Sequence, residues 1–379
     1  MNQDYDVVIV GAGPAGTACA LALGNSGLKV ALVDKSKFPR NKTCGDAIPG
    51  PALRIVEKFL NNSKKEFEKL ELKQQIRSSS IHTQKGRPIQ INWKTKAYNS
   101  PRTSFDNFLL DLVKESTNTD IYEGIVIDQI IKEDKISLIG RSKNLLFRCD
   151  LVIGCDGANS IVSRAFDEIS FSKSRSCLAV RAYYENVDSP EDSNEFYLLK
   201  DSPGYFWIFP LGNGNYNVGL GFTTNHIAQS KLNIKKTLIE NIEHNPILNR
   251  KFKNAKIKSK IEGFKLPIGG QKVKISGERF LLAGDAAYLI DPLQGHGIDK
   301  AMQSGLLAAQ QIQKCFKHKN FSAQFISEYD SIVNKVIGKE LRRNFHLMKL
   351  LHRIPWLIEG LAIMTSNRKI RDLLQKIFM

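Results

Sequence analysis

From Tyr5 the chain reads YDVVIV, a continuous apolar run of the length of a buried strand. A glycine-rich turn follows, then the alanine- and leucine-rich ACALAL, then a second apolar run, VALVD. The pattern predicts strand, tight turn, helix stopped by Gly27, and strand, a complete βαβ unit. Residues 35–50 form a polar loop punctuated by glycine and proline, and a helical stretch runs from about Ala52 to Lys73. SSSIHTQKGRPIQINW alternates in character and reads as a hairpin turning at Lys85-Gly86. SFDNFLLDLVKES reads as a helix with Ser104 as its N-cap. Short strand-like segments occupy 121–153 and end in CDLVIGCDGANS.

Between about 166 and 273 the pattern changes. CLAVRAYYENV, EFYLLK, GYFWIFPLG, NYNVGLGF and KIEGFKLPIGG read as strands separated by turns, with a helix near 232–243. This is the signature of a largely antiparallel sheet inserted into an α/β domain. RFLLA then reads as a buried strand, and GDAAYLIDPLQGHGIDKAMQSG carries the chain through a Pro292 and Gly295-His296-Gly297 corner into a helix. The last sixty or so residues are helical, and there is no internal repeat. The expected fold is α/β: a Rossmann-like domain with an inserted antiparallel-sheet substrate domain and a C-terminal helical segment. The expected boundaries are 1–77, 97–165 and 274–320 for the first domain, 78–96 and 166–273 for the second, and 321–379 for the helical region.

With 42% hydrophobic and 25% charged residues, the 379-residue chain has the balance of a folded protein and the length for two domains. Its formal charge of +17 points to an anionic partner or surface, or to nothing more than lysine-rich codon bias. Cys19, Cys44, Cys149, Cys155, Cys177 and Cys315 are scattered, with no CxxC pair, so neither a metal site nor a disulfide framework is expected. No signal peptide precedes YDVVIV, and no apolar stretch reaches the ~18 residues that span a bilayer. The expected location is cytoplasmic, with peripheral contact on the inner face of the membrane as a variant of it.

Gly11-Ala-Gly13-Pro-Ala-Gly16 is a GxGxxG directly after a strand and opening a helix. The first glycine makes the turn, the second admits a pyrophosphate, and the third lets helix and strand pack. Pyrophosphate sits on the amides of the positive helix end. Asp34, at the end of the second strand, is placed to accept from ribose hydroxyls. NAD and FAD share this motif. Asp285, a second acid at a strand end, suits a ligand with a polyol beyond its adenosine half. The Gly295-His296-Gly297 corner then brings amides and a helix start to whatever lies next. A helix N-terminus favours the negative charge of reduced flavin by roughly 0.3–1 kcal/mol. FAD is the better fit.

The set GAGPAG, CDGANS and GDAAYLIDPLQGHGI resembles the FAD-binding signatures of para-hydroxybenzoate-hydroxylase-type flavoproteins. That superfamily includes aromatic hydroxylases, flavin-dependent halogenases and geranylgeranyl reductases. FPRNKTCGDAIPG (38–50) and PGYFWIFPLGNGNYNVGLG (203–221) are similar to segments of the geranylgeranyl reductase family. The resemblance implies that Arg102 contacts the cofactor, that Asp156 and Gly157 support the pyrophosphate region, and that Asp285 binds ribitol. It also implies that Pro292, Gly295 and Gly297 line the isoalloxazine. The full cofactor-binding set expected is Gly11, Gly13, Pro14, Ala15, Gly16, Asp34, Lys35, Arg40, Cys44, Gly45, Arg102, Asp156, Gly157, Asp285, Pro292, Gly295, Gly297 and Ile298. Asp34 stands where many relatives have Glu.

Three residues are candidates for chemistry. The Cys44 thiol could donate a proton or position substrate, Asp46 is an alternative acid, and His296 could stabilise charge on reduced flavin. Each also has a plain reading, as buried cysteine, amide-binding acid and loop histidine. Tyr205, Trp207 and Phe209 fall on one face of a strand and are expected to bind substrate, unless they are ordinary core. The function expected is an FAD-dependent oxidoreductase that reduces C=C bonds of an isoprenoid lipid. The alternatives are a monooxygenase or halogenase acting on an aromatic substrate, and a flavin-binding protein acting through its basic surface. Lys85 is the nearest candidate for a halogenase-type lysine. The electron donor is NAD(P)H or reduced ferredoxin. An acidic donor protein is one candidate partner and an anionic membrane another, met by Arg342, Arg343, Lys349 and Arg353 beside Leu347, Leu350, Leu351 and Ile354; the equal alternative is that this helix caps the substrate domain with its basic face in water. No metal and no nucleic acid are expected.

Overall fold

The computed structural model of the chain describes residues 2–60, 70, 73–83, 88–141, 145–166, 176–199, 204–354, 356, 357, 359 and 360. The turn at Lys85-Gly86, the proline at 355 and the last basic stretch beyond 360 lie outside them.

The two apolar runs form β1 (Asn2–Val10) and β2 (Val30–Asp34). Every residue of β2 is buried, as expected of a parallel strand covered on both faces. They join β6 (Asp120–Glu123), β9 (Leu145–Gly154) and β17 (Phe280–Leu282) in a parallel sheet of order β17-β9-β1-β2-β6. β7 (Ile127–Lys132), β8 (Ile136–Gly140) and β16 (Ser276–Gly277) extend it in antiparallel fashion.

A second sheet has the order β14-β10-β13-β12-β11-β4-β5-β3, with β15 also on β10. Its strands are β3 (Ala47–Ile48), β4 (Gln74–His82), β5 (Pro88–Asn99), β10 (Ser176–Glu185) and β11 (Ser193–Leu198). β12 (Gly204–Gly212), β13 (Asn215–Thr223), β14 (Lys256–Ile257) and β15 (Glu262–Pro267) complete it. β4 and β5 run beyond the 78–96 segment at both ends, and Ala47–Ile48 joins from the loop after β2. Strand alternation gives this sheet two characters. Val180, Ala182, Phe206, Ile208, Val218 and Leu220 pack into a core with Leu238, Leu248 and Phe252. The alternate residues Ala179, Trp207 and Phe209 face the other way.

Helices α1 (Pro14–Leu23), α2 (Gly50–Phe59), α3 (Arg102–Ser116) and α4 (Ile161–Ala165) belong to the first half of the chain. α5 (Thr224–Ser230), α6 (Ile234–His244) and α7 (Pro246–Lys251) follow β13. α8 (Ile298–His318), α9 (Ala323–Ile326), α10 (Glu328–Val333) and α11 (Lys339–Arg353) end the described chain, with a π turn at Asn334–Gly338 before α11. α1 is buried on nearly all sides, against α3 and α8. A Cβ on Gly305 of α8 would collide with the Ala15 carbonyl, so the two helices meet backbone to backbone.

Three local expectations are corrected. α1 ends at Leu23 with Gly24 as C-cap. Gly27, at φ +74, makes the turn into β2 instead. Ser104 does not cap α3, which starts at Arg102 after Pro101. The Arg102 side chain bonds Asp106 one turn on. The helix placed at Ala52–Lys73 ends at Phe59 within the described residues.

Candidate active site and cofactor cleft

The glycine turn after β1 holds two kinds of glycine. A Cβ on Gly11 (φ +104) would collide with the Cys155 carbonyl, and one on Gly16 with the Gly11 carbonyl. The protein's own backbone demands these two. Gly13 differs: a Cβ there would meet only Arg40 Nη2, at 3.4 Å, among the described residues. Gly157 (φ +81), just past the neighbouring β9, would meet nothing within 4 Å. Open space is thus kept at the carboxyl ends of β1 and β9, beside the start of α1. That helix has no side-chain cap and no acidic residue in its first turn.

The nearby acids are held in different ways. Asp156 accepts from the Ile161 amide at 2.6 Å through Oδ2, while its buried Oδ1 has no hydrogen-bond partner. Burial raises its pKa. Asp34 accepts from the Ala12 amide and the Ser36 amide, each at 2.8 Å. It braces the turn and keeps a second lone pair on each oxygen for a ribose. A backbone cradle, an uncapped helix start and a buried carboxyl oxygen lacking a donor fit the pyrophosphate and ribose of FAD.

Arg40 and Lys42 of the loop after β2 and Arg102 at the start of α3 bring cations into this cleft, and each of these three has a carboxylate. Arg102 makes a bidentate pair with the fully buried Asp106, both bonds 2.7 Å, and Arg40 reaches the same carboxylate at 2.9 Å. Burial alone would raise the Asp106 pKa, but the Arg102 and Arg40 guanidiniums hold it below its usual range. Lys42 Nζ sits 3.0 Å from Asp285 Oδ2. Lys35 is exposed.

One face of the second sheet, the loop after β2, the 292–297 corner and α11 enclose a cavity of about 830 Å³. Pro14, Cys44, Gly45, Arg102, Asp285, Pro292, Gly295, His296, Gly297 and Ile298 line it together with Tyr205, Trp207 and Phe209. The structure therefore gathers most of the expected site in one place. Trp207 lies 6.1 Å from both Tyr205 and Phe209, ring centre to ring centre, and Phe196 meets Tyr205 and Phe209 edge-on. A Cβ on Gly219, directly across from Trp207 on β13, would collide with the indole. Met348 and Leu351 of α11, with Trp356 beyond it, line the cavity as well.

Asp46 is not on the cavity wall. It is fully buried at φ +65, accepting from Asn217 Nδ2 at 2.8 Å and from the Tyr183 hydroxyl at 2.9 Å. Burial pushes its pKa up to about 6, against the lowering effect of those two donors. It is behind the wall, so it cannot touch a ligand in the cavity as an alternative acid would.

Several site residues were invisible to motif reading. Arg181 is buried on the cavity wall, 3.0 Å from Glu262 and 2.9 Å from Asn41. Asp291 shapes the 292–297 corner by accepting from the Leu293 and Gln294 amides, both at 2.8 Å. Only periodicity marked β10 and β13, and nothing in it told which polar residue would turn inward. Among the described residues there is no group of three or more potential metal ligands, and no helix long and apolar enough to cross a membrane. All six cysteines are free.

Residues 4–339 match the model of an FAD binding domain family. In sequence the chain is similar to a digeranylgeranylglycerophospholipid reductase of Methanococcus vannielii, 30% identical over 87% of this chain and 82% of that protein. It is also similar to a menaquinone reductase of Mycolicibacterium smegmatis, 28% identical over 82% of this chain and 76% of that protein. In structure it is similar to a geranylgeranyl bacteriochlorophyll reductase-like protein of Thermoplasma acidophilum. The TM-score is 0.84, at 24% identity, over 97% of this chain and 92% of that one. A flavin-dependent brominase shares the same fold, with a TM-score of 0.81 at 19% identity over 99% of this chain and 93% of that one.

Proposed function

The chain belongs to the FAD-binding family of flavoproteins, on its geranylgeranyl reductase branch, and on that premise we propose that it reduces C=C bonds of an isoprenoid lipid. The observation that carries the reading is the cavity. Its wall is largely apolar and aromatic, and it runs from the 292–297 corner, across Cys44, to α11. Gly13, Gly157, Asp156, Asp34 and Asp285 would hold FAD, with Arg40 and Arg102 bracing the cleft. Bound and reduced, FAD supplies the hydride.

The chain's own residues do the rest. Tyr205, Trp207 and Phe209 orient the alkene and exclude water. Cys44 donates the proton to the second carbon, and His296 stands beside the flavin end. The cations inside the cavity are paired: Lys42 with Asp285, Arg181 with Glu262, Arg102 with Asp106. An apolar tail therefore meets little net charge inside, and an anionic head group stays at the mouth, near Arg353. That mouth lies on α11, where Leu350 is 46% exposed, with Trp356 just beyond it 70% exposed. A basic amphipathic surface with protruding apolar side chains suits an anionic bilayer, from which the substrate is drawn. NAD(P)H or reduced ferredoxin supplies the electrons.

Oxygenase or halogenase chemistry on the same scaffold is the second reading, favoured by the fold shared with the brominase. Among the described cavity residues the lysine is Lys42, and it is paired with Asp285. The test is anaerobic. Dithionite-reduced holoprotein is mixed with a digeranylgeranyl glycerophospholipid, geranylgeranyl diphosphate or menaquinone, and products are identified by mass spectrometry. Reoxidation of the flavin with gain of two hydrogens per double bond is expected. If alkenes leave the flavin reduced, while an aromatic compound gains oxygen or halogen in air, the second reading replaces the first.

A further inference from the structure

Asn217 sits at the centre of the second sheet, fully buried, with Tyr183 of β10 paired to it on one side and Phe209 of β12 on the other. Its amide is used completely. Nδ2 donates to the Cys44 carbonyl at 2.7 Å and to Asp46 Oδ2 at 2.8 Å. Oδ1 accepts from Trp207 Nε1 at 2.9 Å. An asparagine has two N–H donors and one acceptor oxygen, and here each has a partner. The amide can be oriented only one way. Flipped, its oxygen would face a carbonyl and a carboxylate, and its N–H groups would face an indole N–H. No other side chain of that length offers the same pattern. Aspartate lacks the donors, leucine lacks all polar atoms, and glutamine places its amide a bond too far.

Two of the three partners, Cys44 and Trp207, line the cavity, and Asp46 lies just behind its wall. Cys44 carries the thiol on the wall. Asp46 holds the left-handed backbone at φ +65 that turns the loop just after it, a conformation that a non-glycine residue keeps only where other contacts hold it. Trp207 is the middle ring of the aromatic face. A Cβ at Gly45 would lie 3.1 Å from the Phe209 ring, so the loop already rests on that face with no space to spare.

We propose that Asn217 is a positioning residue that locks the Cys44–Asp46 loop to the Trp207 indole and so sets where a double bond stops relative to the thiol. It touches neither substrate nor cofactor. It acts by fixing the Cys44–Asp46 loop, which leads from β2 into β3, against the Trp207 indole of β12. The proposal rests on the reductase reading for its effect on turnover, but not for its effect on the thiol.

The test uses FAD-loaded full-length protein and three variants. Asn217→Ala removes every bond. Asn217→Asp keeps an acceptor for Trp207 and sets a second carboxylate against Asp46. In Asp46→Asn with Asn217→Asp, the side chain at position 46 becomes the donor, which restores the links to Trp207 and to position 46 but not the one to the Cys44 carbonyl. Iodoacetamide labelling of Cys44, mapped by mass spectrometry, needs no substrate. It should speed up about tenfold in Asn217→Ala and remain fast in the double variant. In alkene reduction, kcat should fall about tenfold in Asn217→Ala, with a changed preference for chain length and with FAD retained. The double variant should recover the chain-length preference but not the full kcat. Unchanged labelling and unchanged kcat in a folded Asn217→Ala would overturn the proposal. So would a loss of FAD that simply follows a fall in Tm, with the double variant's chain-length preference no closer to wild type. If labelling shifts as expected while wild-type protein reduces no alkene, the positioning role stands and the reductase reading fails.

Discussion

The Asn344 amide donates to Asp291 Oδ2 at 2.6 Å, and this bond joins α11 to the corner that lines the cavity. Both residues are buried, and the other Asp291 oxygen is committed to the Leu293 and Gln294 amides. α11 is therefore built into the body, with Leu341 and Phe345 buried beside Asn344. Asn344→Ala leaves a buried carboxylate oxygen unpaired and should lower stability by about 2 kcal/mol. Urea denaturation measures the loss. Flavin release should accelerate with it, because the 292–297 corner loses its tether. Unaltered stability and flavin retention would show that the tether is idle.

The two kinds of glycine in the first turn predict two kinds of failure. Gly16→Ala places a Cβ against the Gly11 carbonyl and should prevent folding. Gly13→Ala meets only the movable end of Arg40. Its apoprotein should melt within a few degrees of wild type, while FAD affinity falls tenfold or more, or about 1.4 kcal/mol. Thermal melts of apoprotein and flavin titration separate the two. Equal damage from both substitutions would mean that Gly13 serves packing, not the cofactor.

Glu195 is a buried acid away from the cavity. It accepts from Ser189 Oγ at 2.6 Å and Tyr197 Oη at 3.2 Å, and lies 3.1 Å from Lys251 and 3.3 Å from His82. Burial alone would raise its pKa, but His82, Ser189 and Lys251 bring it down from 4.5 to about 2. A folded pKa below the unfolded one means stability that is present above pH 4.5 and lost as pH falls toward 2. The shift corresponds to something on the order of 3 kcal/mol. Urea midpoints should therefore drop between pH 6 and pH 3 in wild type, and drop less in Glu195→Gln. Parallel pH profiles would remove Glu195 as a cause of acid sensitivity.

Vesicle binding tests the mouth on α11. Removing the helix would also remove Asn344 and the Lys300–Glu340 ion pair of 2.7 Å, so deletion confuses docking with unfolding. Leu350→Ser and Trp356→Ser change exposed side chains only. Flotation with vesicles rich in anionic lipid should weaken severalfold for the pair of substitutions, and more at high salt. Equal flotation of wild type and the double variant would leave the membrane surface without a role for this helix.

Local signals in the sequence carried much of this molecule. The GxGxxG turn, the apolar runs of β1, β2 and β17, and the helix start at Ile298 each depend on residues close together in the chain. Period-two alternation was enough to place Tyr205, Trp207 and Phe209 on one face. What stayed hidden depends on register between distant strands. Asn217 faces Trp207 and Asp46 only because β13 lies between β10 and β12 and because the loop after β2 folds over that sheet. Asp46 looked like a site acid from its place beside Cys44. It is buried because Asn217 and Tyr183, from strands distant in sequence, hold its carboxylate. Ser104 looked like a cap because its residue type caps, but α3 already begins two residues earlier, at Arg102 after Pro101.

The edge of β9 has a consequence for how the protein is made. Val152, Ile153 and Gly154 pair with β1 on one side, and their other side waits for Phe280, Leu281 and Leu282. Six of the nine strands of the second sheet, β10 to β15, are encoded between them. At ordinary rates of synthesis, a nascent chain holds that apolar edge open for on the order of ten seconds. α1 waits longer still, for Gly305. The sheet that begins first is thus finished last, after the inserted one can already have closed through β15. Translation pauses between codons 154 and 280 should therefore lower soluble yield more than pauses elsewhere. Chaperones that shield unpaired strand edges should matter most during that interval.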